Sequence, residues 1–214
     1  MKRRVLITGA AGFLGGHFSR YLREWAGDVY VIATDVAAGD STAADEFVRT
    51  DLAVANAAAE LVRTTRPDCI VHLAGVFGAG DALELYRVNV LPLTGLLDAV
   101  VRECPGAALI TAGSAAEYGR IEASRLPATE DHPCEPVTAY GQSKLCATHL
   151  ALYYHRVHGL AATVVRPFQL LGKGVTPRLA PGAFYEQLRA ATAAVSASSG
   201  ATAVVRVGNL ESQR

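Results

Sequence analysis

The feature that most constrains the fold is the alternation of short β-branched runs with longer amphipathic stretches along the 214-residue chain. This alternation is typical of parallel sheets in which crossover helices join consecutive strands. The pattern therefore predicts an α/β protein. Strands are predicted at residues 4–8, 29–34, 46–50, 69–73, 108–111 and 162–165, with a short one at 203–207, and helices at 13–25, 54–65, 82–89, 92–104, 138–158 and 181–195.

A glycine-rich turn at residues 8–15 follows the first predicted strand and opens the first predicted helix. Gly9 permits a tight turn, Gly12 lets the backbone approach a pyrophosphate, and Gly15 allows the helix to pack closely on the strand. Free N–H groups at the helix N-terminus favour a phosphate. An ordinary strand-to-helix turn is the alternative. The position of the glycine-rich turn between the first strand and the first helix of this alternation predicts a Rossmann-type, doubly wound parallel sheet with helices on both faces.

Composition argues against several classes of function. The formal net charge is +0, so the clustered basic surface of a nucleic-acid-binding protein is not expected. No apolar run approaches the roughly 20 residues of a membrane span, and no membrane partner is expected. The four cysteines show no CxxC spacing, which favours reduced thiols and a cytoplasmic protein. His149, His155 and His158 share a helix without an acidic partner at zinc-site spacing, so no metal is predicted.

Two aspartates follow predicted strands. Asp35 ends the second strand about 20 residues beyond the last glycine of the turn, where an acid binds the ribose hydroxyls of NAD. A solvated turn aspartate is the alternative. Because no arginine follows it to bind a 2′-phosphate, NAD(H) is favoured and NADP(H) stays possible. Asp51 and Leu52 follow the third strand and are predicted to contact adenine, with a helix N-cap role for Asp51 as the alternative.

Tyr140 and Lys144 are four residues apart in a predicted helix and therefore share one face. A neighbouring ammonium favours the phenolate, so Lys144 is expected to lower the pKa of Tyr140. Ser114 follows the fifth strand and points to the same crevice, because the carboxyl ends of parallel strands meet there. A surface pair on an amphipathic helix is the alternative. The three side chains predict acid/base chemistry on a hydroxyl or carbonyl, with Tyr140 as the acid/base.

These motifs make the chain resemble the extended short-chain dehydrogenases/reductases, the NAD-dependent epimerase/dehydratase family. Residues 8–15 match its TGxxGFxG, residues 72–75 resemble its HLAG, and residues 140–144 form its YxxxK. Residues 166–169 are similar to its RPFN, with Gln169 departing from the usual Asn. The resemblance implies a substrate site with Ser114, Ala115, Phe77 and Gln169. It also implies that the cofactor contacts Gly9, Gly12, Phe13, Leu14, Gly15, Asp35, Asp51, Leu52, Leu73, Ala74, Gly75, Asn89, Tyr140, Lys144 and Pro167.

The segment after Ser114 discriminates between reactions of this family. The dehydratases place acidic residues where this chain has Ala115 and Ala116, which cannot transfer protons, so dehydration is not expected. Glu117 stands one position late and is interpreted as packing or loop structure. Residues 113–119 and 207–214 resemble the GDP-4-keto-6-deoxy-mannose 4-reductase branch, which favours hydride transfer from NAD(P)H to C4 of a 4-keto-6-deoxy sugar. A nucleotide-sugar 4-epimerase is the main alternative, and a non-catalytic NAD(P)-binding regulator or a flavin- or hydrocarbon-binding reductase are others.

The resemblance also implies an organisation and an assembly. Residues 1–168 are expected to form the NAD(P)-binding domain, and residues 169–214 the start of a small substrate-binding part. That part is expected to be truncated, because family members run roughly a hundred residues longer. The outer faces of the predicted helix at 138–158 and of residues 91–101 are unusually apolar for surface helices. In the family that the chain resembles, these two helices form a four-helix dimer interface, so the resemblance implies a homodimer.

Overall fold

A computed structural model of the chain describes residues 2–37, 43–78, 81–197 and 204–207. The chain divides into two compact units, Met1–Phe168 and Gln169–Arg214. The boundary between them lies where the sequence places the end of the cofactor-binding domain. The functional assignment of the two parts stays a prediction.

A six-stranded sheet forms the centre of the first unit. Every neighbouring pair of strands is parallel, and the strand order is β3-β2-β1-β4-β5-β6. This order, with its reversal between β1 and β4, belongs to the Rossmann fold and creates a crevice at the carboxyl ends of those strands. The predicted fold class is confirmed. The strands are β1 (Arg3–Thr8), β2 (Val29–Asp35), β3 (Glu46–Arg49), β4 (Cys69–His72), β5 (Ala108–Ala112) and β6 (Ala161–Val165).

The helices lie where the apolar periodicity predicts them, with one later start. Helix α2 begins three residues after its predicted start, because Asn56 adopts a left-handed backbone conformation (φ 63°) just before it. Two short 3-10 turns, Ala115–Glu117 and Ala123–Arg125, are not predicted. The helices are α1 (Phe13–Trp25), α2 (Ala57–Thr65), α3 (Ala82–Asn89), α4 (Leu91–Glu103), α5 (Ala139–His158) and α6 (Ala180–Ala197).

Alternate residues of the central strands enter two separate cores, one on each face of the sheet. On one face, Leu6 and Ile70 belong to a buried cluster with side chains of α2, α4 and α5. On the other face, Val5 and Val71 pack with Phe18 of α1. Strands buried on both faces read as continuous apolar runs, as β4 does. The two cores fix the sheet and, with it, the edge where its carboxyl ends meet.

The second unit contains α6 and the segment at residues 204–207. The Gln187 side chain receives a hydrogen bond from the Arg206 N–H (2.7 Å) and donates one to the Arg206 carbonyl (3.1 Å). The strand predicted at 203–207 is wrong for residues 204–207, which form no strand, and Ala203 lies outside the described residues. Within the described ranges, no helix has the length and apolarity that crossing a membrane requires.

Candidate active site

The ends of β1 and β4 are tied together beneath the glycine turn. The Thr8 hydroxyl and Nδ1 of His72 are 2.8 Å apart, both residues are buried, and the Ala74 N–H donates to the Thr8 hydroxyl (3.3 Å). Burial, with the charge of Lys144 nearby, lowers the pKa of His72 to about 3. His72 is therefore neutral at physiological pH and belongs to the core.

The glycine turn has room only for glycine at two positions. A Cβ on Gly9 would lie 2.6 Å from the Ala74 nitrogen, and the φ of Gly9 is +69°. A Cβ on Gly15 would lie 2.2 Å from the Gly9 carbonyl oxygen. Gly12 is the exposed N-cap of α1, whose first turn carries no acidic residue. This arrangement leaves an uncapped, positively polarised helix N-terminus, which fits a pyrophosphate.

Asp35, the last residue of β2, hydrogen-bonds to the glycine turn. One oxygen of its carboxylate accepts the Ala11 N–H (2.9 Å) and the other accepts the Ala37 N–H (3.1 Å). Each oxygen keeps acceptor capacity that a ribose hydroxyl can use. The Asp51 carboxylate accepts the Ala53 N–H (2.9 Å). The alternative N-cap role of Asp51 is wrong, because Asn56 occupies the N-cap position of α2.

Leu52 is half-buried against the core on the α2 side. The sequence places it at the adenine, and that contact stays a prediction. Phe13 and Leu14, two further apolar residues expected at the cofactor, are the half-buried first residues of α1. Their position beside Gly12 is compatible with the expected contact.

Asn89 fixes the loop that follows β4. Its side-chain oxygen accepts the Val76 N–H (2.8 Å), and its amide nitrogen donates to the Val76 carbonyl (3.1 Å) and the Ser143 hydroxyl (3.0 Å). Both amide hydrogens are thus engaged within the protein. The structure gives this buried side chain a positioning role, holding the loop of Leu73, Ala74 and Gly75 against α5.

Lys144 lies against the same loop. A Cβ on Gly75 would be 2.9 Å from the Asn89 side-chain oxygen, which would have to shift, and 3.9 Å from the Lys144 Nζ, which is ordinary contact. Phe77, farther along the loop, is 41% exposed. Its predicted substrate contact stays a prediction.

Ser114 caps the 3-10 turn Ala115–Glu117. Its hydroxyl oxygen accepts the Ala116 N–H (3.1 Å), while its own N–H donates to the Glu117 carboxylate (2.8 Å). The Ala115 N–H donates to the Pro167 carbonyl (3.1 Å). Capping from both directions holds the turn in one conformation. Ala115 and Pro167, both predicted site residues, therefore contact each other beside Ser114.

Helix α5 presses its first turn against this 3-10 turn. Thr138 caps α5 by accepting the Gly141 N–H (3.0 Å), and a Cβ on Gly141 would lie 2.4 Å from the Ala116 carbonyl oxygen. The approach brings the Tyr140 phenol close enough to the Ser114 hydroxyl for Ser114 to act on the pKa of Tyr140. The structure thus brings Ser114 and Tyr140 together, with Lys144 one turn farther along α5.

The pKa values of the pair differ from the expectation. Burial raises the pKa of Tyr140; the Ser114 hydrogen bond opposes that shift, and the negative charge of Glu117 reinforces it. Burial lowers the pKa of Lys144, and Glu117 opposes that shift. The expected lowering of the Tyr140 pKa by Lys144 is wrong for the chain alone, because burial acts more strongly on both groups.

Glu117 is the residue that sequence reasoning underestimated. Its side chain is fully buried and forms an ion pair with Arg166, with Oε2 2.8 Å from Nε. The same oxygen accepts the Thr148 hydroxyl (3.0 Å). The available signal was the arginine at the end of the sixth strand. Since parallel strand ends meet, an acid after the fifth strand can pair with it.

Gln169 lies in the second unit, and its predicted substrate contact stays a prediction. Pro167, by contrast, belongs to the first unit and is fixed by the hydrogen bond from Ala115. The RPFN-like segment is therefore divided between the two units.

Comparison with known proteins identifies the family of the chain. The family model described as "NAD dependent epimerase/dehydratase family" matches residues 5–214. The chain belongs to this family. Among curated relatives, it is 32% identical over 176 residues to a UDP-glucose 4-epimerase of Azospirillum brasilense, covering 79% of this chain and 49% of that protein. It is 33% identical over 178 residues to a dTDP-glucose 4,6-dehydratase of Streptomyces antibioticus, covering 76% and 52%.

Solved structures agree with this assignment. UDP-glucose 4-epimerase from Brucella ovis in complex with NAD has a TM-score of 0.67 and 29% identity, covering 78% of this chain and 52% of that one. MoeE5 in complex with UDP-glucuronic acid and NAD has a TM-score of 0.76 and 29% identity, covering 87% and 62%. The chain spans about half the length of the curated relatives it matches.

Membership of the epimerase/dehydratase family explains why the glycine turn, Ser114, Tyr140 and Lys144 occur together. The finer resemblance to the 4-reductase branch is not shown by these relatives, several of which are named as UDP-glucose 4-epimerases. One of the two segments that suggested it, residues 207–214, lies outside the described residues except for Val207.

Proposed function

We propose that the chain carries the NAD-binding and catalytic part of a nucleotide-sugar 4-epimerase. The observation that carries the proposal is the junction of α5 with the turn Ala115–Glu117, where the Ser114 hydroxyl meets the Tyr140 phenol beside Lys144. Relatives named as UDP-glucose 4-epimerases favour a UDP-hexose as the substrate class. The 4-epimerase, given above as the alternative, thus replaces the 4-keto-sugar reductase as the first proposal.

The described residues fit NAD. The pyrophosphate would meet the backbone of the glycine turn and the N-terminus of α1. Asp35 would accept the ribose hydroxyls, which favours NAD(H) over NADP(H), whose 2′-phosphate would meet a like charge. Lys144, held against Gly75, would donate to the nicotinamide ribose. Two solved relatives were crystallised with NAD, which supports the same assignment.

The residues divide the chemistry between them. NAD⁺ bound there would supply a hydride acceptor for C4–H and, once reduced, a hydride donor to the opposite face of the keto sugar. Tyr140 takes the proton of the C4 hydroxyl as the carbonyl forms and gives it back when the alcohol reforms. Ser114 donates a hydrogen bond to the same oxygen and so stabilises its negative charge. No proton has to be transferred by Ala115 or Ala116.

Those two alanines also argue against dehydration, although one relative is named as a dehydratase. Removing water from a 4-keto sugar needs an acid and a base beside the ring, and alanine provides neither. Reduction of a 4-keto-6-deoxy sugar stays a second candidate, because residues 113–119 resemble that branch. It would use Ser114 and Tyr140 in the same roles, with NADH or NADPH as the hydride donor.

The test is the interconversion of UDP-galactose and UDP-glucose by the purified chain with NAD⁺, followed by NMR. The wild type is expected to reach the same equilibrium mixture from either sugar. Tyr140→Phe is expected to lower the rate by about 10²–10⁴-fold while the variant still binds NAD⁺. A chain that binds NAD⁺ but interconverts neither sugar contradicts the proposal. Reduction of a GDP-4-keto-6-deoxy sugar would instead establish the second candidate.

We also propose that two copies of the chain associate through α4 and α5. On these helices the side chains of Leu91, Tyr153 and Val157 are 62%, 47% and 57% exposed, and a second copy of the chain would cover this apolar surface. Light scattering at micromolar concentration is expected to give twice the mass of one chain. A monomer at that concentration contradicts the pairing.

A further inference from the structure

Glu117 is a fully buried acid to which the proposed reaction gives no proton to transfer. An ionised carboxylate removed from water is costly unless its oxygens are hydrogen-bonded and its charge is paired. Both conditions are met here. The position of Glu117 beside Ser114 and Tyr140 indicates a role in the site.

Three different elements donate to the Glu117 carboxylate. The Ser114 N–H reaches Oε1 from the end of β5 (2.8 Å). The Thr148 hydroxyl reaches Oε2 from α5 (3.0 Å), and the Arg166 Nε reaches it from the end of β6 (2.8 Å). A Cβ on Gly113 would lie 2.4 Å from Oε1, so the carboxylate lies directly against the backbone that precedes Ser114. One side chain thus joins the elements that surround Tyr140.

We propose that Glu117 is a positioning residue that holds Ser114 against Tyr140 and supplies the buried negative charge acting on Tyr140 and Lys144. The inference rests on the proposed function for its activity readout and goes beyond it in assigning a role to this carboxylate. The hydrogen bond to the Ser114 N–H sets the backbone, and the cap formed by the Ser114 hydroxyl sets the side chain.

The charged and titratable groups that act with Glu117 come from every neighbouring element. Arg166 pairs with Glu117. The negative charge of Glu117 also acts on Tyr140 and Lys144 of α5 and on Cys134. The Tyr118 hydroxyl accepts from the outer side of the Arg166 guanidinium (3.3 Å). Removing one negative charge lowers the pKa of every group that it raised. Loss of Glu117 is therefore expected to lower the pKa values of both Tyr140 and Lys144.

The test uses Glu117→Gln, which keeps the shape of the side chain and removes its charge. The sequence contains three lysines, Lys2, Lys144 and Lys173, so NMR of lysine-labelled protein can follow Lys144 directly, with its signal assigned by its loss in Lys144→Met. The midpoint of the Lys144 titration is expected to move to lower pH in Glu117→Gln. The epimerase kcat is expected to fall by about tenfold or more. The acid limb of its pH profile is expected to move to lower pH.

Thr148→Val is the matched control. It removes one hydrogen bond to the same carboxylate oxygen and leaves the charge in place, so the Lys144 midpoint is expected to stay where it is in the wild type. If Glu117→Gln does not fold because Arg166 is left unpaired, the double variant Glu117→Gln, Arg166→Gln provides a neutral pair. A downward movement of the Lys144 midpoint is expected there too, smaller than in Glu117→Gln because the positive charge of Arg166 is also lost.

Two failures are distinguishable. An unchanged Lys144 midpoint in folded Glu117→Gln, or an equal movement in Thr148→Val, overturns the role of Glu117 whether or not the wild type turns over sugar. Absence of turnover in the wild type refutes the proposed epimerase, and the lysine titration then decides the inference by itself.

Discussion

Replacing Gly141 with alanine tests the contact on which the site depends. Gly141 lies in the first turn of α5, and an added Cβ would be 2.4 Å from the carbonyl oxygen and 3.0 Å from the carbonyl carbon of Ala116. Ordinary contacts between carbon atoms are about 3.5–4.0 Å. Both neighbours are backbone atoms, so the helix and the 3-10 turn must move apart by roughly 1 Å.

Two opposing effects set the magnitude. Alanine in place of glycine inside a helix is favourable by about 1 kcal/mol. Overpacking a tight contact costs about 1–3 kcal/mol, and a 2.4 Å approach to backbone places the cost in the upper part of that range, at about 2–3 kcal/mol. The crowded contact therefore prevails, and a net loss of about 1–2 kcal/mol is expected. For a chain of this size, that corresponds to a fall of about 2–8 °C in Tm. Because Tyr140 and Ser114 lie on opposite sides of the contact, a displacement of about 1 Å is expected to lower turnover by roughly 10²-fold.

Gly95→Ala is the matched control, since Gly95 is also inside a helix but its nearest contact would be the Ala58 Cβ at 4.0 Å. There the same substitution is expected to raise Tm by about 2–4 °C, from about 1 kcal/mol of helix propensity. Calorimetry of both variants gives the stabilities, and UDP-galactose interconversion gives the rates. If Gly141→Ala is as stable and as active as Gly95→Ala, the close packing of α5 on the turn is refuted.

Three further predictions concern the cofactor and pH. Asp35→Ala is expected to weaken NADH binding about tenfold by removing charge-assisted hydrogen bonds and to weaken NADPH binding less; an unchanged NADH-to-NADPH preference in fluorescence titrations would contradict this role. Gly9→Ala is expected to lose NADH binding and lower Tm, since its Cβ meets backbone at 2.6 Å and φ is +69°. The His72 pKa of about 3 lies below its value in the unfolded chain, so stability is full above pH 6.5 and is lost as pH falls. The expected loss between pH 7 and pH 5 is about 2 kcal/mol by urea unfolding, and it should be smaller in His72→Asn.

The fold follows from the sequence to the extent that hydrophobic periodicity determines it. Helices α1 and α3 have their predicted bounds, because an apolar stripe and clear flanking signals define both. Helix α2 starts late because the left-handed conformation at Asn56 leaves no trace in that periodicity. The 3-10 turn Ala115–Glu117 was not predicted, since three residues carry too little pattern to identify it.

The side chains proposed as catalytic were predictable for a different reason. Four-residue spacing puts Tyr140 and Lys144 on one helical face, and the topology of parallel sheets brings Ser114 to the same edge. The partners of Glu117 were not predictable in this way. Thr148 and Arg166 lie 31 and 49 residues beyond it, and their meeting depends on how α5 packs between β5 and β6.

The pKa values show why the YxxxK spacing alone does not define a working acid/base. Burial raises the pKa of Tyr140 and lowers that of Lys144, so the pair by itself favours a neutral phenol. The interaction that opposes this at Tyr140 is the Ser114 hydrogen bond, and Ser114 is held by Glu117 and by the turn against which Gly141 packs. In the proposed function, the reactive unit is therefore the junction between α5 and that turn. Substitutions at Ser114, Glu117 and Gly141 should all impair proton transfer at Tyr140, although none of them changes the motif.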